Sequence, residues 1–238
     1  MSKKICFLTT GIAVVLVAYL LIGWLKGGDK INQIREEAFY GHLRVLMSDL
    51  DAKKRIEACI GLGRLRDPRA VPHLIRALGD RGYVREPGHV AYVCQAAEEA
   101  LVKIGTPAVP HLCQALRDID SNVREAACRA LGQIGDLQAV PHLCQALRDS
   151  NVAVREAACR ALGRIGDRQA VPHLIQTLGD SVSYVRSTAC WALGAIGDPQ
   201  AIPHLTKKLK DEDSSVRGAA EEAIRQIRAR QAGRQSQP

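Results

Sequence analysis

Histidine and cysteine are the side chains of this 238-residue chain whose spacing could carry chemistry. His73, His111, His142, His173 and His204 each hold the fourth place of one phrase. It begins as Ala-Val-Pro-His-Leu at Ala70, Ala108, Ala139 and Ala170 and returns as Ala-Ile-Pro-His-Leu at Ala201. Cys59, Cys128, Cys159 and Cys190 share one place in a second recurring phrase, and Cys113 and Cys144 share another in the first. Imidazole and thiolate serve as zinc ligands and as nucleophile–base pairs, so metal binding and covalent catalysis are the chemistries to test. Geometry supports neither. At about 100° per residue His173 lies roughly 200° from Val171, away from the apolar stripe of its helix. Its counterparts belong to successive helices about 8 to 10 Å apart, too far to share an ion. A cysteine that recurs at one register is a small apolar filler, not a disulfide half. No Cys-x-x-Cys, Gly-rich phosphate loop or serine nucleophile elbow occurs. The sequence therefore assigns no catalytic, cofactor-binding or metal-binding residue.

The elements that carry these residues repeat. The last three intervals between copies of the first phrase are each 31 residues, a period that identifies a solenoid of small units, none able to bury its apolar face alone. Val171, Leu174, Ile175 and Leu178 recur at i, i+3, i+4 and i+7, the stripe of an amphipathic helix with Pro172 in its first turn. Val154, Ala157, Ala158, Ala161, Leu162 and Ile165 predict a second helix, ended by Gly166. Asp149-Ser150-Asn151 and Gly179-Asp180-Ser181 supply turn and N-cap chemistry between the two. Extended along the chain, this template predicts an all-α protein of six helix pairs, near 30–65, 69–104, 107–134, 138–165, 169–196 and 200–230. In five pairs an Asp precedes an Arg by six residues, from Asp49 and Arg55 to Asp211 and Arg217.

The alternation of A-V-P-H-L with V-R-x-A-A-x-x-A-L-G-x-I-G-D resembles the HEAT-like repeats of the phycobilisome-lyase type, over about residues 45–230. The resemblance implies a right-handed α-solenoid in which the Asp/Arg pairs form a ladder between units. Repeats of this type occur in enzymes, chaperones and adaptors. Two functions are therefore expected of the chain: a scaffold or adaptor for protein–protein interaction, or alternatively a phycobilin lyase or lyase-like chaperone acting on a protein substrate. A metal-dependent hydroxylase built on similar repeats carries His-Glu pairs. Here Leu follows every histidine except His89, which Val follows, so that activity does not carry over.

Ile5 to Leu25 is an uncharged stretch of 21 residues, between Lys3-Lys4 and Lys26, long enough to span a bilayer core. Tyr19 and Trp24 lie near its end, where amphipathic rings favour the interface. The expectation is a single-pass anchor over 1–26, the solenoid over 27–230 and a flexible tail over 231–238; a cleaved signal peptide is the alternative. Cations flank both ends, so the positive-inside rule does not choose a side. An odd number of solenoid thiols leans towards the cytoplasm. Lys+Arg exceed Asp+Glu by 33 to 25, a net charge of +8. That favours anionic partners or a lipid surface, but no aromatic-interleaved basic motif points to nucleic acid.

Deviations from the template carry the remaining information. Glu156, Arg160 and Arg164 form the expected exposed row of their helix. Through the repeats the Arg160 register reads Ile60, Glu99, Arg129, Arg160, Trp191 and Glu222. A tryptophan among arginines suits a binding hot spot; the alternative is filler between repeats. The interval from Ala70 to Ala108 is 38 residues, which predicts an inserted surface loop over 81–92. Cys94 replaces an arginine there, so the ladder is expected to break. The expected partner-binding residues are Arg129, Arg160, Arg164 and Trp191, with Tyr83, His89 and Tyr92 of the loop. If residues 5–25 anchor the chain, extraction of membranes at alkaline pH leaves full-length protein in the pellet; a soluble mature form beginning near Gly27 would establish cleavage instead.

Overall fold

The structure, a computed structural model, describes residues 28–86 and 89–235. Helix α1 covers 28–48 and pairs with α2 (Ala52–Leu65). Five more pairs follow: α3 (Val71–Ala77) with α4 (Val93–Ile104), α5 (Val109–Ala115) with α6 (Ser121–Ile134), α7 (Val140–Ala146) with α8 (Val152–Ile165), α9 (Val171–Thr177) with α10 (Ser183–Ile196), and α11 (Ile202–Lys208) with α12 (Ser214–Gln235). The first helix of each later pair is entered through one 3-10 turn, and the alanine of the A-V-P-H-L phrase closes it. Ala70, Ala108, Ala139, Ala170 and Ala201 are all fully buried, so nothing larger fits between turn and core. In four of the five turns an aspartate caps the start, as Asp167 does by accepting from Gln169 N–H at 2.9 Å. Behind the turns one leucine in each helix from α2 to α11, Leu143 and Leu162 among them, forms a continuous apolar spine with no exposure.

Second helices end on glycine in the left-handed region at Gly135, Gly166 and Gly197, as the sequence predicts for Gly166. Three features differ from expectation. The insertion is not an irregular loop but an antiparallel hairpin, β1 (Tyr83–Glu86) with β2 (His89–Tyr92), the register running from Tyr83↔Tyr92 to Glu86↔His89. Ser181 does not cap α10. The N-cap residue is Val182, whose N–H is bound by Asp180 Oδ1 at 2.9 Å. Helix α12 continues to Gln235, past the boundary expected near 230. Among the described residues no helix is long and apolar enough to cross a membrane; the segment 5–25 lies outside them.

Two devices join one repeat to the next. Second helices pack closely on their neighbours while first helices scarcely meet, and the closeness depends on glycine. A Cβ on Gly132 would lie 2.6 Å from Ala161 Cα, one on Gly163 2.9 Å from Ala192 Cα, and one on Gly194 2.9 Å from Ala223 Cα. In α4 the same register holds Val102, and α4 and α6 are correspondingly less closely packed. The second device is the ladder. Arg55, Arg124, Arg155 and Arg186 each grip the aspartate of the following turn in a two-pronged bond, Nε to Oδ2 being 2.7 Å for Arg155–Asp180 and 3.1 Å for Arg186–Asp211. Each also donates Nη1 to the main-chain oxygen of the aspartate six residues before it, Arg155 to Asp149 at 2.9 Å. Cys94 interrupts this series, so no arginine from the second repeat grips Asp118, whose carboxylate accepts from Asp120 N–H at 2.8 Å.

The six other cysteines of the described residues besides Cys94 are buried, and all seven are free thiols. Burial pushes Cys128 up to about 12 and Cys144 up to about 11, the opposite of an activated thiolate.

Two outcomes follow from these joints. Gly132→Ala should destabilise by about 1–3 kcal/mol through overpacking, despite the helix-propensity gain of about 0.5–1 kcal/mol. Gly218→Ala, with nothing within 4 Å of the new methyl, should show that gain alone; thermal unfolding of the pair checks both. Burial pushes the Asp149 and Asp180 carboxyls up, but the arginine forks and main-chain N–H bonds outweigh it and hold both below the usual range. For Asp211 the Arg186 fork is the largest cause of a depression that burial only partly opposes. Their stabilising contribution is fully present above the unfolded aspartate value of about 3.9 and is lost as pH falls through the lower folded values. Tm should therefore hold between pH 6 and about 5 and fall below about pH 4, and Asp180→Asn should shallow that fall.

Candidate protein-binding surface

Helices α6, α8, α10 and α12 stack as a continuous inner layer, so one register of each presents to the same face. The glycine seam fixes which side chains can stand there: the small residues touch the neighbouring helix, and those a turn away point outward. On this face Glu125, Arg129, Glu156, Arg160 and Arg164 line a cleft of 260 Å³ floored by Gly132, Ala157 and Ala161.

The arginines of the cleft are not equivalent. Arg129 is clasped by two carboxylates, Glu125 on its own helix and Glu98 of α4, with Arg129 Nε to Glu98 Oε2 at 2.9 Å. Glu98 is itself buried and accepts a second bond from Gln133 Nε2 at 2.9 Å. Arg129 thus bridges α4 to α6 where the glycine contact and the ladder are both missing. Arg160 pairs with Glu156 and donates Nη2 to Tyr184 Oη at 2.8 Å, its guanidinium 6.0 Å from the Tyr184 ring centre. Arg164 is exposed and forms no ion pair among the described residues.

Trp191 lies over the glycine seam. A Cβ on Gly163 would fall 2.7 Å from Trp191 Cζ3, so the indole rests against the preceding repeat, and 43% of the residue remains exposed. One side of the ring packs, as a filler between repeats would, and the other faces outward. Ser187 and Ala195 are its neighbours one turn away on α10, where α8 carries Glu156 and Arg164. The indole therefore stands in a clearing of small residues, bordered by charged ones.

Of the seven expected binding residues, the structure gathers Arg129, Arg160 and Arg164 in one cleft and puts Trp191 beside it. Tyr83 and Tyr92 line no part of that cleft, and His89 is a residue of β2. They belong to the hairpin between α3 and α4, where the Tyr83 and Tyr92 rings lie 5.8 Å apart and are 55% and 39% exposed. Sequence reasoning missed Tyr184, 53% exposed, which carries the Arg160 bond, and Glu98. The signal for both was a departure from register: Tyr184 follows Asn122 and Ala153 in the place before the helix's valine, and Glu98 stands where four other repeats have cysteine. None of the described residues forms a group of three metal-ligating side chains.

A family model for HEAT repeats matches residues 90–152 and 140–225, and one for the PBS lyase HEAT-like repeat matches residues 54–80. Among proteins of curated function none matches the chain. Solved structures do. The complex of CpcE and CpcF of phycocyanin lyase from Nostoc sp. PCC7120 is similar at 25% identity and a TM-score of 0.58, over 66% of this chain and 99% of that one. A structure of Kap95p with RanGDP is similar at 18% identity and a TM-score of 0.58, over 82% of this chain and 31% of that one. A designed armadillo repeat protein in complex with the peptide (KR)4 is similar at 18% identity and a TM-score of 0.52, over 79% of this chain and 98% of that one. The last two likenesses are of fold.

Proposed function

Since the chain belongs to the HEAT repeat family, we propose that it is a scaffold that binds a protein partner across the inner layer of second helices, tethered to a membrane through residues 5–25. The observation that carries the reading is Trp191: a large indole held in place from below by Gly163, exposed above, with Arg160, Arg164 and Tyr184 around it. Tryptophan, tyrosine and arginine are the residue types that dominate binding hot spots. A pre-seated indole also loses little side-chain freedom on binding. The uncharged length of residues 5–25 supports the tether.

The likeness to the CpcE and CpcF complex favours a second reading, in which the chain is a lyase or lyase-like chaperone for a protein that carries a bilin. Purified chain mixed with bilin and acceptor protein separates the two: a scaffold leaves the pigment unattached, and a lyase yields acceptor with covalently bound pigment.

For the scaffold, Trp191→Ala should weaken partner binding by about 2 kcal/mol or more, roughly thirtyfold, and lower Tm only modestly because the lost packing is one-sided. Affinity capture from native membranes, with wild type and variant side by side, reads the first effect and thermal unfolding the second. A lowered Tm with partner binding unchanged would remove Trp191 from the binding surface.

A further inference from the structure

The first helices of the third and fourth repeats carry the same ten residues, Val-Pro-His-Leu-Cys-Gln-Ala-Leu-Arg-Asp, at 109–118 and again at 140–149. Elsewhere this segment diverges: Ile75, Ile175 and Thr206 replace the cysteine, and Gly79, Gly179 and Lys210 replace the arginine. The identical segments make matching clefts on the outer layer, away from Trp191. One, of 400 Å³, has a floor of Val109, Pro110 and Cys113. Its rim is Gln114 and Arg117, completed by Gln138 and His142 of the next repeat. The other, of 370 Å³, repeats the pattern with Cys144 in the floor and Arg148, Gln169 and His173 in the rim.

The chemistry of each cleft is narrow. Its only formal charge is a guanidinium; no acidic side chain lines either one. The nearby Asp136 and Asp167 are engaged in capping the 3-10 turns, accepting from Gln138 N–H and Gln169 N–H at 2.9 Å. Arg148 donates to Gln176 Oε1 at 3.0 Å and is exposed, as is Arg117. A guanidinium offers its planar fork to carboxylates. The two glutamine amides of each cleft can bond main-chain groups, and the apolar floor takes a side chain. The one ring in each cleft is the rim imidazole of His142 or His173, with no Phe, Tyr or Trp beside it, so successive nucleobases lack a row of rings to stack on, and one arginine per repeat is too sparse to track a phosphate backbone. Closely packed helices stand about 8–10 Å apart and the first helices meet less closely, so one cleft lies at least about 10 Å from the next, the reach of three residues of extended chain at about 3.3 Å each.

We propose that these twin clefts bind an extended acidic segment of a protein partner, taking one carboxylate and one neighbouring apolar side chain per cleft, three residues apart. The site is independent of the Trp191 face.

The test is fluorescence anisotropy with the full-length chain in detergent micelles. The labelled probes are Glu-Leu-Ser, Glu-Leu-Ser-Glu-Leu-Ser and its Lys-for-Glu counterpart. The two-unit acidic peptide should bind at least tenfold tighter than the one-unit peptide, since the second contact is intramolecular. Arg117→Glu and Arg148→Glu should each reduce it to the one-unit affinity. Trp191→Ala should leave it unchanged, so this site and the inner face succeed or fail separately. Equal binding of one- and two-unit peptides, equal binding of the lysine peptide, or equal competition by an oligothymidylate of matched charge would overturn the proposal. Should circular dichroism show an arginine variant unfolded, Gln114→Ala with Gln145→Ala replaces it, with an expected loss of at least threefold; no loss overturns the proposal.

Discussion

The approach of one second helix to the next, with glycine against alanine and no side chain between, is the constraint on which the rest of this solenoid depends. With Gly132, Gly163 and Gly194 set against Ala161, Ala192 and Ala223, the inner layer is drawn tight while the first helices stay apart. That difference decides what each layer can do. On the inner face a large side chain has room only above the seam, so Trp191 lies across Gly163 and is half exposed by construction. On the outer face the spacing leaves clefts between α5 and α7 and the turns that follow them.

The ladder holds the turn edge in register. Asp149, Asp180 and Asp211 each accept on the carboxylate from the arginine of the preceding repeat and on the main-chain oxygen from the arginine of their own. The arginine therefore closes its own turn and clamps the next one in a single conformation. Partly buried, doubly bonded pairs of this kind specify one arrangement more than they add net stability. The glycine seam sets the distance between repeats, and the ladder sets their rotation.

The repeat made most of the fold legible in the sequence. A 31-residue period with i, i+3, i+4 and i+7 stripes places the paired helices, and the invariant small residues mark where backbones meet. The hairpin was harder to see. Tyr83 to Glu86 and His89 to Tyr92 flank Pro87-Gly88, a turn dipeptide between short runs rich in aromatic and β-branched residues, but eight strand residues are a faint signal against a helical template. At the candidate site, the wheel position of the Arg129, Arg160 and Trp191 register was readable. What was not readable is which arginines are already committed. That depends on partners 24 to 31 residues away, Tyr184 for Arg160 and Glu98 for Arg129, brought near only by the stacking of repeats. For Trp191 a wheel shows direction and not depth, so sequence could not divide the indole between packing and exposure.

One junction departs from all the others. Between α4 and α6 the seam glycine is Val102, the ladder arginine is Cys94, and the small buried cysteine is Glu98, bound to Arg129 and Gln133. In a linear array each unit is stabilised chiefly by its nearest neighbours, so cooperativity passes along the chain only as well as its weakest interface allows. Here the coupling between the second and third repeats rests on the Glu98 clasp and residual apolar contact, whereas the third to sixth repeats share both seam and ladder. This junction is thus the least closely packed of the second-helix interfaces, and nearest-neighbour coupling across it is weaker than among the four repeats that carry Trp191.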